Sequence, residues 1–367
     1  MKKLALVVIS IDECFARAGF SGGGHKVTKY LIESLIESKK FEIDIYCEKS
    51  SVGKIEGING IYPIGKRALR ALKEENLKGY DYILSSDVLL PFGNQILHSN
   101  SAKFKTKNGK SPLISFLATI YSNSKIKYQA NRVKKCKGNF FVVSNSLKED
   151  FASFYNIEKE RIFVSYPSVD FIKENNENAQ KDCMFIGSIA GGGLNKGGML
   201  LLFGIKKFIK ENKISKDNFR ARLIFPKIKK AGLFKALIRL LNLGEFIELL
   251  PRQSDMNAFY QSIDYYVLPS LNEAFGLVVA EAGANFKPSL VSNSTGVSEL
   301  IDNKNGILMN RTIAGVAEAL KNAYEIYVNN FEAYQKLANN AHELAYVSDW
   351  KKFATKIIEN LKEENCD

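Results

Sequence analysis

The feature that most constrains the fold is a regular alternation of short apolar runs with segments of helical period. The run Leu4–Ile11 precedes a segment, Lys26–Ser38, whose apolar residues recur at helical spacing. Three further runs, Phe41–Tyr46, Tyr82–Ser85 and Phe140–Ser144, have the length and composition of buried strands. Strands that alternate with helices form parallel sheets. The sequence therefore predicts an α/β fold.

A polar stretch divides the chain in two. Residues 171–182 lack periodicity, and a second alternating series starts at Cys183–Ile186. A length of 367 residues fits two domains, at roughly 100–200 residues each. We predict doubly wound domains over 1–170 and 183–345, joined by the linker 171–182, with 346–367 as a closing segment.

Composition excludes several classes of protein and of site. The chain has only three histidines, so a histidine-rich metal site is excluded. Its five cysteines have neither zinc-ligand nor redox-motif spacing, which favours reduced thiols in a cytoplasmic protein. The first apolar run stops at Asp12-Glu13 without a cleavage site, so we interpret it as a strand and not as a signal peptide.

Positive charge is concentrated in one stretch. The net charge is +13, and Val88–Lys148 holds eleven basic residues and no acidic one. Such a stretch is either a solvated face or the contact for an anionic partner: a membrane surface, a phosphorylated acceptor or nucleic acid. A second basic segment, Lys227–Leu241, predicts either a membrane-surface helix or, as we favour, a core-packed helix with a basic outer face.

The segment Leu268–Gly283 carries the most chemistry. A strand ends at Leu268 and a helix is predicted to begin near Phe275-Gly276. The free N–H groups of a helix start bind phosphate, and a glycine lets the phosphate approach closely. Glu273 precedes the helix, and Glu281 is expected two turns into it. Carboxylates accept hydrogen bonds from hydroxyl pairs, although a helix cap and a surface charge are the plain alternative.

This segment resembles the retaining glycosyltransferases of family four, also called glycosyl transferases group 1. Their pattern is Pro-Ser, then a glutamate with Phe-Gly shortly after it, and then, beyond seven intervening residues, a second glutamate followed by alanine. The matching residues are Pro269-Ser270, Glu273, Phe275-Gly276 and Glu281-Ala282. The resemblance extends over the second half of the chain, through Asp264, Ser292–Glu299 and Asn305-Gly306. It implies that the donor is bound by Glu273, Ala274, Phe275, Gly276, Leu277 and Glu281.

A loop after the first strand of the second domain resembles the family's phosphate loop. Family members commonly have Gly-Arg and then Lys-Gly, and Lys196-Gly197 matches the second pair. Ser188 stands at the arginine position, and the loop is longer by about three residues. The resemblance implies that Ser188 and Lys196 contact the donor. A diphosphate leaving group needs fixed positive charge. Lys196 supplies one charge, and we nominate Arg252 for a second.

The first half resembles the family more loosely. Gly23 and Gly24 lie in a stretch similar to the family's glycine loop, where backbone N–H groups face phosphate or acceptor. A plain flexible turn explains them equally well. His98 lies near the end of a predicted strand, where the family has a His or Asp against the transferred sugar. A buried structural histidine is the equal alternative, and His25 is a weaker candidate.

The resemblance implies a GT-B fold: two Rossmann-like doubly wound domains facing a central cleft, with Trp350–Glu364 crossing back to the first domain. It also implies a metal-independent, retaining sugar transfer with Glu273, His98 and Lys196 as catalytic residues. No Asp-x-Asp motif for a metal-bound diphosphate occurs. No cofactor is expected, because the nucleotide-diphosphate sugar, UDP- or GDP-linked, is a substrate.

The expected acceptor is an anionic lipid-linked or phosphorylated glycan of a bacterial envelope pathway, such as lipopolysaccharide or capsule. The protein would then be cytoplasmic and peripheral to an anionic membrane surface, with no nucleic-acid partner. Two rival functions stay open. They are a basic nucleic-acid-binding protein without activity and, less favoured, a dinucleotide-dependent oxidoreductase, for which the Gly-x-Gly-x-x-Gly spacing is missing in the right context.

Overall fold

The computed structural model separates the chain into two units, Met1–Pro167 with Ser348–Asp367, and Ser168–Val347. It describes residues 1–15, 23–86, 88–98, 127–170, 172, 179–191, 196–227, 231–347 and 349–364. Residues 21 and 22 of the glycine loop, much of the basic stretch and most of the polar segment 171–182 lie outside these residues.

The first unit is built on one parallel sheet. Its elements up to residue 167 are β1 (Lys2–Val8), α1 (Asp12–Phe15), α2 (Gly23–Ser38), β2 (Phe41–Cys47), β3 (Gly60–Pro63), α3 (Gly65–Ala71), β4 (Tyr82–Ser86), β5 (Asn94–Leu97), β6 (Phe140–Val142), α4 (Asn145–Tyr155) and β7 (Ile162–Val164). The strand order is β3-β2-β1-β4-β5-β6-β7. Leu4 to Val8 are at most 1% exposed. Since successive side chains point to opposite faces, both faces of β1 are covered.

The second unit repeats this architecture. Its elements are β8 (Met184–Ile189), α5 (Gly198–Asn212), β9 (Phe219–Ile224), α6 (Gly232–Leu240), β10 (Ile247–Leu250), α7 (Met256–Gln261), β11 (Tyr265–Leu268), α8 (Leu277–Ala284), β12 (Ser289–Ser292), β13 (Gly306–Met309), α9 (Ile313–Asn329) and α10 (Phe331–Ala345). The parallel strand order is β10-β9-β8-β11-β12-β13. The carboxyl ends of all six strands therefore meet at one edge, where ligands of such sheets bind.

The basic helix of the second unit differs from the prediction in extent. Helical structure was predicted over Lys227–Leu241, but α6 begins at Gly232. Pro226 and Lys227 form a turn directly after β9. Phe234 and Ile238 bury one side of α6 in the core of the unit, which agrees with the core-packed alternative for this segment.

The last helix, α11 (Trp350–Ile358), belongs to the first unit. The Trp350 ring stacks on Tyr30 of α2 with ring centroids 4.3 Å apart. Phe353 is 1% exposed, and its carbonyl accepts a hydrogen bond from Ser165 Oγ at 2.9 Å. The closing helix thus holds α2, the helix that begins at Gly23.

The predicted helix Trp350–Glu364 is too long at its C-terminal end. Beyond Ile358 the chain leaves the helix and pairs with Asn94. The Asn94 Nδ2 donates to the Lys362 carbonyl at 2.8 Å, and the Lys362 N–H donates to Asn94 Oδ1 at 3.0 Å. The Glu364 N–H also donates to the Asp81 carbonyl at 2.9 Å. These tertiary hydrogen bonds replace those that a longer helix would make.

Two further observations concern membrane-spanning helices and cysteine thiols. No helix among the described residues has the length and hydropathy to cross a membrane. Within the same residues, Cys47, Cys136 and Cys183 are free thiols, and burial raises the pKa of Cys47 and Cys136 to about 11.

We predict that Phe353→Ala destabilises the first unit by about 3–5 kcal/mol, because it leaves a cavity under α11. Lys351→Ala, at an exposed position of the same helix, is the matched control and should change stability by less than about 0.5 kcal/mol. Urea unfolding followed by circular dichroism measures both. Equal effects of the two substitutions would show that α11 contributes no core to the unit.

Candidate functional site

Two loops of the second unit meet at the carboxyl edge of its sheet, because β8 and β11 are neighbours. Gly197, between β8 and α5, is the point of contact. Its φ is +70°, and a Cβ there would lie 1.8 Å from the Pro269 carbonyl oxygen. Only glycine fits this position. Lys196 is therefore held beside the loop 269–276.

Lys196 and Glu273 form an ion pair at this contact. The distance from Lys196 Nζ to Glu273 Oε2 is 2.7 Å, and the two side chains are 40% and 24% exposed. The pair joins Lys196, just before α5, to Glu273, the first of the two glutamates singled out in the sequence. It is open to solvent, so a bound ligand can reach both groups.

Backbone pairing fixes the segment that carries Glu273. The Gly296 N–H donates to the Glu273 carbonyl at 2.9 Å, and the Val297 N–H donates to the Phe275 carbonyl at 2.9 Å. Gly276 follows with φ +117°, and a Cβ there would come within 3.0 Å of the Leu268 side chain. Gly276 precedes the first residue of α8. The Val279 N–H donates to the Gly276 carbonyl at 2.9 Å. The N–H groups before it at a helix start have no carbonyl one turn earlier in the helix, so the start of α8 suits an anion.

Glu281 is the fifth residue of α8, about one turn from its start, because the helix begins at Leu277. The predicted position two turns into the helix was too deep. The Tyr260 hydroxyl donates to Glu281 Oε2 at 2.9 Å. Tyr260 is 0% exposed, and burial, followed by the charge of Glu281, raises the pKa of its hydroxyl well above the ordinary value. Tyr260 therefore remains a protonated donor that orients the carboxylate.

Strand β8 and the loop after β11 contain buried polar groups that have no hydrogen-bond partner among the described residues. Ser188, the penultimate residue of β8, and Ser270 are 0% exposed. Their hydroxyl oxygens, and the side-chain nitrogen of Asn272, have no hydrogen-bond partner among the described residues. Unsatisfied buried polar groups cost free energy and are rare in native proteins, and here three of them belong to the strand and loop predicted to hold a ligand.

An arginine that no sequence motif indicated lies beside the loop that carries Glu273. The Arg311 guanidinium donates to the Leu271 carbonyl at 3.0 Å, between positions 40 apart in sequence. Arg311 follows β13 and belongs to no motif, so no local signal marks it. Arg252, the predicted second cation, follows β10, the outermost strand, and β9 and β8 lie between that strand and β11.

Predicted residues of the first unit form a separate group. His98 follows β5, and its Nε2 lies 2.8 Å from Ser86 Oγ. Ser86 Oγ lies 3.0 Å from Thr28 Oγ1 in the buried part of α2. A hydrogen-bonded chain thus connects His98 to the helix that begins at Gly23 and Gly24. Across both units, the described residues contain no group of three or more His, Cys, Asp or Glu side chains that could hold a metal ion.

Comparison with known proteins shows which proteins the chain is similar to. Residues 205–344 match the family model described as glycosyl transferases group 1, a range that includes Glu273 and Glu281. The O-antigen chain mannosyltransferase RfbU of Salmonella typhimurium is 27% identical over 240 residues, which are 61% of this chain and 64% of that protein. The match thus spans less than two thirds of that relative's length.

Solved structures show the fold. WaaG, a glycosyltransferase involved in lipopolysaccharide biosynthesis, has a TM-score of 0.72 at 15% identity, covering 98% of this chain and 99% of WaaG. Anabaena Alr3699/HepE, solved in complex with UDP and glucose, has a TM-score of 0.69 at 16% identity, covering 98% of this chain and 99% of that one. The predicted GT-B class, with two Rossmann-like α/β domains, is confirmed. The predicted resemblance to glycosyl transferases group 1 is confirmed by the match of that family model to residues 205–344.

Proposed function

We propose that the protein is a retaining glycosyltransferase that moves a sugar from a nucleotide-diphosphate sugar to an acceptor hydroxyl. One observation carries the proposal: the Lys196–Glu273 ion pair, at 2.7 Å, stands beside the start of α8. A cation, a carboxylate and free N–H groups are what a diphosphate joined to a sugar requires. The kinship with RfbU and the fold shared with UDP-complexed HepE support the same reading.

The diphosphate is assigned to Lys196 and the first turn of α8. A phosphate oxygen that approaches Lys196 Nζ competes with Glu273 for it. Because the pair is partly exposed, little free energy is lost when Glu273 is replaced. Glu273 is then available to accept hydrogen bonds from the transferred sugar. Arg311, at the loop that precedes Glu273, replaces Arg252 as the proposed second cation.

The ribose of the nucleotide is assigned to Glu281. A carboxylate that accepts both hydroxyls of a diol must be held in one orientation. Tyr260 supplies this orientation by donating to Oε2 at 2.9 Å.

The proposed reaction breaks the bond between the anomeric carbon and the diphosphate oxygen. A new bond forms between that carbon and the acceptor oxygen on the same face, and the acceptor proton passes to the leaving phosphate oxygen. Lys196 and the α8 N–H groups stabilise the charge that grows on the leaving group. His98, held by Ser86, is the proposed first-unit contact to the transferred sugar.

The proposed acceptor is an anionic glycan, lipid-linked or phosphorylated, at the cytoplasmic face of a bacterial membrane. The eleven basic residues of Val88–Lys148, without an acidic one, support an anionic partner. The relatives that act in O-antigen and lipopolysaccharide synthesis support a glycan.

We predict that Glu281→Ala weakens binding of the free nucleotide by about 1.5–3 kcal/mol, because a charged acceptor is lost. Tyr260→Phe should weaken it by about 0.5–1.5 kcal/mol, because the carboxylate loses its orienting donor. Tyr265→Phe is the matched control. Tyr265 is also 0% exposed, but its hydroxyl has no partner among the described residues. Isothermal titration calorimetry measures all three, and an unchanged affinity for Glu281→Ala would remove the ribose assignment.

Lys196→Ala should lower kcat/KM by about 10²–10³, because the leaving group loses fixed charge. Glu273→Gln should lower kcat more than it weakens nucleotide binding, since Glu273 faces the sugar. Lys207→Ala, which breaks a surface ion pair with Glu211 on α5, is the control and should stay within about twofold. Steady-state kinetics with the donor decide the matter. Equal losses for Lys196→Ala and Lys207→Ala would contradict the proposed role of Lys196.

Activity should persist in excess EDTA, because Lys196 and the start of α8 provide the positive charge for the diphosphate. The measurement is product formation with and without chelator, using enzyme that has been dialysed against EDTA. Complete loss of turnover that Mg²⁺ or Mn²⁺ restores would show that the diphosphate needs a cation.

A further inference from the structure

Helix α6 leaves two large apolar side chains in solvent. Leu233 and Leu240 are 81% and 79% exposed. They lie seven residues apart and therefore on one face of the helix. The opposite side, with Phe234 and Ile238, is buried in the core. The fold accounts for the inner face of α6, and the two leucines remain exposed among the residues that the structure describes.

Basic residues flank the exposed leucines. Lys235 and Arg239 are exposed on α6, and Lys227 is exposed just before it. The segment 227–241 contains five basic residues and no acidic one. The acidic side chains that follow it are already paired, Glu245 with Lys216 and Glu248 with Arg222. The outer face of α6 thus combines exposed leucines with uncompensated positive charge.

The start of α6 lies at the edge of the sheet where the candidate site is built. It follows the carboxyl end of β9, the strand next to β8. A Cβ on Gly191, just after β8, would come within 2.7 Å of Pro226 Cδ. The turn before α6 therefore packs against Gly191, the residue two positions after the end of β8. Leu233, in the first turn of α6, lies toward this edge.

We propose that the outer face of α6 docks on an anionic lipid bilayer, with Leu233 and Leu240 inserted at the boundary between headgroups and acyl chains. Leucines suit that boundary, and Lys227, Lys235 and Arg239 attract anionic headgroups. A second copy of the chain is a poor occupant, since its own α6 would bring like charges together. The inference deepens the proposed function by naming the element that holds the second unit at the membrane.

Co-sedimentation of the full chain with vesicles tests the proposal. The wild-type protein should bind vesicles of phosphatidylcholine with phosphatidylglycerol and release at high salt. The Leu233→Gln, Leu240→Gln double variant should bind roughly tenfold more weakly, because two apolar side chains no longer insert. Val328→Gln is the matched control, at a 44% exposed apolar residue of helix α9, and should bind as the wild type does.

Further variants separate the effect of positive charge from the effect of leucine insertion. They also separate the contribution of α6 from that of the basic stretch in the first unit. Lys235→Ser with Arg239→Ser should weaken binding to the anionic vesicles. The basic stretch is tested by a quadruple variant, Lys103→Ser, Lys105→Ser, Lys107→Ser and Lys110→Ser. When the α6 substitutions are added to this quadruple variant, vesicle binding should become weaker than that of the quadruple variant alone. Nucleotide titration of the same proteins should be unchanged, which distinguishes failure of this inference from failure of the proposed function.

Three outcomes would overturn the inference. One is equal vesicle binding by the wild type and the leucine double variant. Another is no binding of the wild type to anionic vesicles. The third is a dimer in size-exclusion chromatography that the double variant abolishes, since it would assign the leucine face to a second copy.

Discussion

The candidate site depends on the pairing of β8 with β11, and a buried aspartate secures that pairing. Asp264 immediately precedes β11. Its N–H donates to the Phe185 carbonyl at 2.7 Å, and its Oδ2 accepts from the Phe185 N–H at 2.7 Å. Burial raises the pKa of Asp264 and lowers the pKa of the neighbouring Lys287 to about 8. The register of the two strands, fixed at this end, also holds at their carboxyl ends. Lys196 and Glu273 lie in the connections that follow those ends.

The two glutamates of the site have different surroundings, and the difference suits the parts assigned to them. Glu273 is held by an ion pair that is partly open to solvent, a contact worth little free energy and therefore easily exchanged. Glu281 is held by a hydroxyl that is itself fully buried and cannot move without disturbing the core. A sugar that is transferred needs a carboxylate that can change partners. A nucleotide that stays bound needs a carboxylate that keeps one orientation.

Local patterns in the sequence predicted the elements better than their contacts. Strand β2 begins at Phe41 and strand β11 ends at Leu268, where the apolar runs placed them. The short strands β3 and β13 were missed, because four residues carry too little periodicity. Ends of elements were less predictable, as at α6 and α11, because tertiary hydrogen bonds and turns decide them.

The two-glutamate motif led to Glu273 and Glu281, but the partners of these residues were beyond the sequence. Tyr260 lies 21 positions from Glu281, and Arg311 lies 40 positions from Leu271. Such contacts follow from which strands are neighbours, and the order of strands in a sheet is not written in any short motif. Ser188, which the resemblance assigned to donor binding, lies inside β8 with no exposed surface.

Gly197 has a consequence for the length of the loop before Lys196. The loop before Lys196 is about three residues longer than the pattern it resembles, yet Lys196 still meets Glu273 at 2.7 Å. The anchor is downstream of the added residues, where Gly197 rests on the Pro269 carbonyl. Insertions between β8 and Lys196 add only a small closure entropy and leave the lysine in place. The length of this loop is therefore weakly constrained, whereas a single methyl group at Gly197 would displace the charge of Lys196.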